Sequence, residues 1–404
     1  MDFERDYDVV VAGAGVAGVA AALSSARAGL RTALVEKTVL LGGLATTGLV
    51  NIYLPLCDGH GHQVIYGISE ELLHLSIRYG PGEVPDGWAG GSADQPRKGR
   101  ERRYSTPFSP ASFVLALDEA LVSAGVHIWL DTLVCAAVVT QGRIRGIEVE
   151  NKSGRGALRA GVVIDATGDA DVAYRAGAQC VTSDNWLSLW AAQTSLTRAR
   201  RVTASPGEAT LLDMVRVGGG ASGRGHPEGH PKYDGTDAAE VTQFILEGRR
   251  LLREHYAAKQ AEGGETSRHH LFPVALPAMA QFRTTRRIVG RATVSPDADH
   301  QHMPDSIGMA PDWRRAGPVW EIPWGALVPR GTRGLLAAGR CISSEGDAWE
   351  ITRVIPPAAL TGEVAGIAAA LAIDQGKTPD ALPVSAIQEA VRGQGIPLHT
   401  SEIM

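Results

Sequence analysis

The stretch Asp8-Val9-Val10-Val11-Ala12-Gly13-Ala14-Gly15-Val16-Ala17-Gly18 decides the fold. Asp8 to Ala12 is an apolar strand, and an alanine-rich helical run follows Gly18 before a second strand ends at Glu36 and Lys37. Strand, G-x-G-x-x-G turn and helix make a dinucleotide fingerprint. Gly13 permits a tight turn, Gly15 keeps a side chain away from the pyrophosphate path, and Gly18 allows the helix to lie close to the strand. Val16 and Ala17 open the helix, whose N-terminus offers N–H groups and a partial positive charge to phosphates. Glu36, 21 residues after Gly15, is placed to accept hydrogen bonds from both ribose hydroxyls. A carboxylate there repels a 2′-phosphate, which argues against NADP.

Three further segments favour FAD over NAD. Gly42, Gly43, Leu44, Ala45 and Thr46 belong to the loop GGLATTG, whose small residues suit a path beside a pyrophosphate and flavin ring. Val162 to Asp165 reads as a strand running into a turn at Ala166, Thr167 and Gly168, with Val134 expected on the same nucleotide face. Near the end of the chain, Leu335 to Ala338 is again a strand, turning at Gly339 and Arg340. A helix expected to begin around Thr361 and Gly362 would then bring its positive end to the flavin.

Together with CDGHGHQVIYGISEELL (57–73), RTTRRIVG (283–290) and IPWGALVP (322–329), these segments make the chain resemble the FAD-dependent oxidoreductases. Their fold is shared by the glutathione reductase and fumarate reductase flavoproteins. The resemblance implies an α/β architecture: a Rossmann-like FAD-binding domain, with a central parallel sheet plus a β-meander, and an inserted α+β substrate domain. The expected division is 1–180 for the first part of the FAD domain, with a loop insertion at about 51–110, 181–317 for the substrate domain, and 318–404 for the return. FAD is expected to be non-covalent, since GGLATTG lacks the histidine to which fumarate and succinate dehydrogenases attach flavin. Thr284 stands where such proteins often have an acid, and Trp324-Gly325 where an aromatic-arginine pair is more usual.

On the substrate side, His60 and His62 in a glycine-rich loop are candidates for proton transfer, because histidine titrates near neutrality. A metal at Cys57, His60 and His62 is not expected, for want of an evident fourth ligand. Arg283 and Arg287 would share one face of a strand and clamp a substrate carboxylate, with Arg286 on the other face; an interdomain salt bridge is the competing role. Arg353 and Glu350 fall at a spacing able to reach the flavin. The activity implied is hydride transfer between flavin N5 and a small organic substrate, a carboxylate being one option, with a separate electron donor or acceptor. A non-catalytic FAD-binding subunit and an NAD-binding dehydrogenase are the alternatives.

Composition narrows the partners. A net charge of -5 and 21% charged residues give no basic field for nucleic acid. Four cysteines without a C-x-x-C pair supply neither a disulfide framework nor the dithiol of the disulfide reductases. The uncharged run from Val9 to Ala26 carries the fingerprint and follows an acidic start, so neither a membrane span nor a secretory signal is expected there. With no other long apolar segment expected, the location read from sequence is cytoplasmic. The run from Pro81 to Arg103 reads as a loop with several turns and a candidate lid.

Overall fold

A computed structural model describes residues 1–84, 105–205 and 210–403. The lid expected at Pro81–Arg103 falls almost wholly outside these residues.

The strand Phe3–Ala12 is the centre of a seven-stranded sheet, flanked by Thr32–Val35 on one side and Gly154–Asp165 on the other, both parallel to it. His127–Trp129 extends the sheet beyond Thr32–Val35, and Leu335–Ala337 pairs in parallel with the last residues of Gly154–Asp165. The first half of Gly154–Asp165 instead pairs antiparallel with Arg143–Asn151, which pairs with Leu133–Thr140, completing the meander. That hairpin turns at Gln141 and Gly142, both at positive φ, the conformation a two-residue primed turn demands.

Register explains why the remote segments meet. Ala12 lies opposite Val35 and Asp165, and Asp165 lies opposite Ala337. Four parallel strands therefore end level, and the turns after them open at one carboxyl edge, where α/β folds bind nucleotides. On one face, the helix Val16–Arg27 packs against Ile355–Asp374 at very short range. A Cβ on Gly362 would stand 2.1 Å from the Ala17 carbonyl, and one on Gly366 2.7 Å from that of Ala21. The meander and the turn helix Asp171–Arg175 cover much of the other face.

Ile355–Asp374 corrects two expectations. It begins at Ile355, so Thr361 and Gly362 lie inside it rather than at its start. It is also a second long apolar segment, sufficient in length and composition to cross a membrane, yet 78% of its apolar window is buried within the fold. An apolar helix enclosed between other helices and a sheet is the core helix such burial requires.

The inserted part builds a three-stranded antiparallel sheet from Asp213–Gly218, Ser188–Ser195 and Leu271–Ala275, backed by the helix Ala238–Ala261. Leu189, Ala191, Val215, Leu252 and Tyr256 form its small core. A hairpin of Ser306–Pro311 and Val319–Pro323 then leads back to the parallel sheet. The basic segment is less regular than its spacing suggests, because only Arg286–Ile288 is a strand, paired with Cys180–Thr182.

Candidate functional site

The level strand ends open onto a cleft, the place where open α/β sheets bind their ligands. Gly13, Gly15, Val16, Ala17, Glu36, Lys37, Gly42, Gly43, Leu44, Ala45, Val134, Ala166, Thr167, Gly168, Gly339 and Arg340 all line it. Sixteen residues drawn from six separate segments thus converge as their motifs imply. Gly18, Thr46, Thr361 and Gly362 do not line the cleft; they hold its walls. A Cβ on Gly18 would lie 1.8 Å from the Gly13 carbonyl, so this glycine sets the approach of helix to turn. Thr361 Oγ1 accepts a hydrogen bond from Gly339 N–H at 2.9 Å and fixes the last turn.

The geometry at the fingerprint suits a pyrophosphate. Gly13 has φ +92°, and a Cβ there would meet the Ala166 carbonyl at 2.6 Å, whereas a Cβ on Gly15 would meet no atom within 4 Å. Gly15 therefore borders open space. No side chain caps the following helix, leaving its first N–H groups for a ligand. Glu36 is buried, with Oε2 accepting from Ala14 N–H at 2.9 Å and Oε1 from Thr38 N–H at 2.9 Å. Thr38 Oγ1 also bonds Oε1 at 3.0 Å, so these contacts aim the carboxylate and leave Oε2 with a lone pair for a ribose hydroxyl.

The second turn is held by Asp165, whose Oδ1 accepts from Thr167 and whose Oδ2 accepts from Ala173 N–H at 2.8 Å. Burial raises this carboxyl to about 6, against the lowering effect of those bonds. Arg340 borders the cleft with its donors committed to the protein: Nε to the Gly168 carbonyl, Nη1 to the Phe282 carbonyl and Nη2 to Asp169. It ties the glycine turns to the inserted segment.

The profile of the FAD dependent oxidoreductases matches residues 8–210 and 190–391. The chain belongs to the FAD dependent oxidoreductase family. It is accordingly an FAD-dependent oxidoreductase enzyme, with FAD as its cofactor. Thioredoxin reductase of Ureaplasma parvum serovar 3 is 39% identical over 71 residues, 18% of this chain and 23% of that protein's length. Among solved structures, p-nitrophenol 4-monooxygenase PnpA of Pseudomonas putida is 15% identical, with a TM-score of 0.48, over 97% of this chain and 84% of that one. E. coli quinol fumarate reductase FrdA is also 15% identical, with a TM-score of 0.48, over 97% of this chain and 74% of that one.

Arg353 and the first turn of Ile355–Asp374 form part of the cleft wall. Pro356 and Pro357 carry no N–H, so among the first three helical residues only Ile355 has one to offer. The sequence motifs gave no signal for Met279, which also lines the cleft. It arrives because the inserted segment docks on the GGLATTG loop: Ala278 N–H donates to the Thr47 carbonyl at 2.8 Å, and Thr47 Oγ1 approaches Met279 Sδ at 3.0 Å. Only the tertiary fold brings these together.

The three arginines separate. Arg286 bonds Asp171 at 2.7 Å and stacks on Tyr174. Arg287 lies 3.4 Å from Glu345 and 5.8 Å from the Trp349 ring centroid. Both serve packing. Arg283 precedes the strand, so the expected shared face with Arg287 does not form. Its guanidinium reaches the Ser188 hydroxyl at 3.5 Å and the Gly219 carbonyl at 3.3 Å. No carboxylate lies within 4 Å of it among the described residues. Burial first, and the neighbouring Arg353 second, press its pKa down, while Glu350 partly offsets them. Arg353 itself pairs with Glu350.

His60 and His62 do not line the cleft. Asp58, almost fully buried, gathers their loop by accepting from His60 N–H at 2.7 Å and bonding His62 Nδ1 at 2.8 Å. Arg283 does not line the cleft either; of the candidates on the substrate side, Arg353 does. The unusual Gly325 also has a steric cause, because a Cβ there would stand 2.6 Å from Ala292 N. An arginine at that position has no room. Thr284, in place of an acid, is buried with its N–H donated to Asn185 Oδ1 at 3.1 Å.

Proposed function

We propose that this flavoenzyme oxidises or reduces a small carboxylate-bearing substrate, exchanging a hydride with FAD beside Arg283 and Arg353. The observation that supports this most is the state of Arg283: a largely enclosed guanidinium with only a hydroxyl and a carbonyl as partners. Enclosing a charge without a counter-charge is costly, and an anionic ligand relieves that cost. Arg353 adds a second positive centre, and Glu350 compensates only one of the two.

Bound FAD supplies hydride transfer at N5. The chain supplies placement. A planar guanidinium holds a carboxylate through two parallel hydrogen bonds, which fixes the substrate's orientation as well as its position. Burial around Arg283 restricts water and strengthens that contact.

The test is a panel of small carboxylates, read anaerobically as bleaching of the flavin absorbance, followed by steady-state kinetics of Arg283→Lys. Lysine keeps the charge and loses the fork. Loss of about 1.5–3 kcal/mol of charge-assisted bonding corresponds to a KM raised roughly 10- to 150-fold. FAD content and melting temperature should stay at the wild-type level. Bleaching confined to uncharged substrates, or a Lys variant with unchanged KM, would refute the proposal.

A further inference from the structure

Away from the FAD cleft, His302, Glu321 and His399 meet where the segment after Leu398 crosses the hairpin of Ser306–Pro311 and Val319–Pro323. One ligand-competent atom from each lies within 4.8 Å of the others. Glu321 is 1% exposed, and its carboxylate already receives three donors: Met303 N–H at 2.8 Å and His399 Nδ1 at 2.8 Å on Oε2, and Thr400 N–H at 3.0 Å on Oε1. Those donors satisfy the buried charge. His302 is nevertheless brought up beside them, with Nδ1 3.8 Å from Glu321 and its ring 4.5 Å from that of His399.

A structural anchor for the chain segment needs one histidine and does not account for the second. The pair of imidazoles converging on one carboxylate is a two-nitrogen, one-oxygen donor set. Such a set suits a first-row transition ion, zinc foremost, rather than calcium or magnesium, which require mostly oxygen. With bonds of about 2.0–2.2 Å, tetrahedral ligands lie roughly 3.3–3.5 Å apart. The two distances to Glu321 fall on either side of that spacing, so a modest rotation of His302 completes the set. Because the His302 side chain is 65% exposed, the fourth position faces solvent and can hold water. Backbone bonds from Met303 and Thr400 pre-orient the carboxylate, as outer-shell partners do in established metal sites.

We infer that His302, Glu321 and His399 form a structural site for a divalent transition ion of the zinc class, which clamps the His399–Ile403 segment to the hairpin. The site is independent of the carboxylate substrate proposed above. On binding, the ion takes the place of the proton between His399 Nδ1 and Glu321 Oε2, that proton leaves to solvent, both histidines ligate as neutral imidazoles, and the flavin chemistry is untouched.

The experiment uses the FAD-loaded full chain, stripped of metal with a chelator, dialysed, and titrated with Zn²⁺ in a calorimeter beside a thermal melt. The expected result is one-to-one binding and a melting temperature that rises with Zn²⁺. His302→Ala keeps all three donors to Glu321, so its metal-free melting temperature should equal that of the wild type. Its Zn²⁺ affinity should fall at least roughly 100-fold, since even outer-shell changes cost 10- to 100-fold. Absence of one-to-one binding in the wild type, or equal affinity in His302→Ala, would overturn the inference.

Discussion

Replacing Gly15 by valine separates FAD binding from folding. Gly15 has φ -64° and ψ 176°, a conformation open to any residue, and a Cβ there would meet no protein atom within 4 Å. The fold without cofactor should therefore tolerate the change within about 0.5 kcal/mol, the range of substitutions that disturb no packed feature. The side chain would instead fill the space beside the uncapped helix N-terminus. If it displaces two charge-assisted bonds from backbone N–H to pyrophosphate, the loss is about 3–6 kcal/mol, or roughly 10²–10⁴ in FAD affinity. The assay is flavin released by acid from the purified protein, measured beside the melting temperature of the cofactor-free form. Gly18→Ala is the contrast: its Cβ would lie 1.8 Å from the Gly13 carbonyl, so that variant should lose the fold as well. A Gly15→Val protein that retains stoichiometric FAD would refute this account of the cleft.

Glu36→Ala should weaken FAD binding without abolishing it, by about 1.5–3 kcal/mol for each ribose bond less what water returns; unchanged affinity by flavin fluorescence titration would count against the assigned ribose contact. Glu363, enclosed beside Gly67 and accepting from Ile68 N–H at 2.8 Å, is raised by burial to about 7. Its folded-state value lies above its unfolded value, so the native state binds more protons between about pH 4.5 and 7, and stability falls as pH rises through that window. Glu363→Gln should remove the dependence and gain at most about 3 kcal/mol at pH 8, read from denaturant melts at several pH values; a pH profile identical to the wild type would contradict it.

The cofactor half of the site was legible because its information is local. A strand, a glycine turn and a helix are contiguous in Asp8–Arg27, and the same strand-then-turn grammar recurs before Ala166 and before Gly339. Each segment needs only its own residues to specify a turn at a strand's carboxyl end, and the parallel register then brings those ends level.

The substrate half was less legible because alternation predicts a face only where the backbone is a regular strand. Arg283 lies outside the Arg286–Ile288 strand, so spacing could not foresee its separation from Arg287, nor the pairing of Arg286 with Asp171. His60 and His62 have the chemistry for proton transfer, and the structure shows their loop gathered by Asp58, with neither in the cleft lining. The start of Ile355–Asp374 was signalled by Pro356 and Pro357 at its first turn, a cue the expectation of a helix from about Thr361 did not use.

By itself the sequence determined a dinucleotide fold and the glycine turns that converge on its cleft, because these are short-range agreements between backbone geometry and residue type. Tertiary structure alone decided that Arg283 stands beside Arg353, that Met279 enters the cleft, and that His302, Glu321 and His399 converge. Those neighbours come from segments far apart in the chain, and their meeting depends on how separately folded layers pack, which no local pattern encodes.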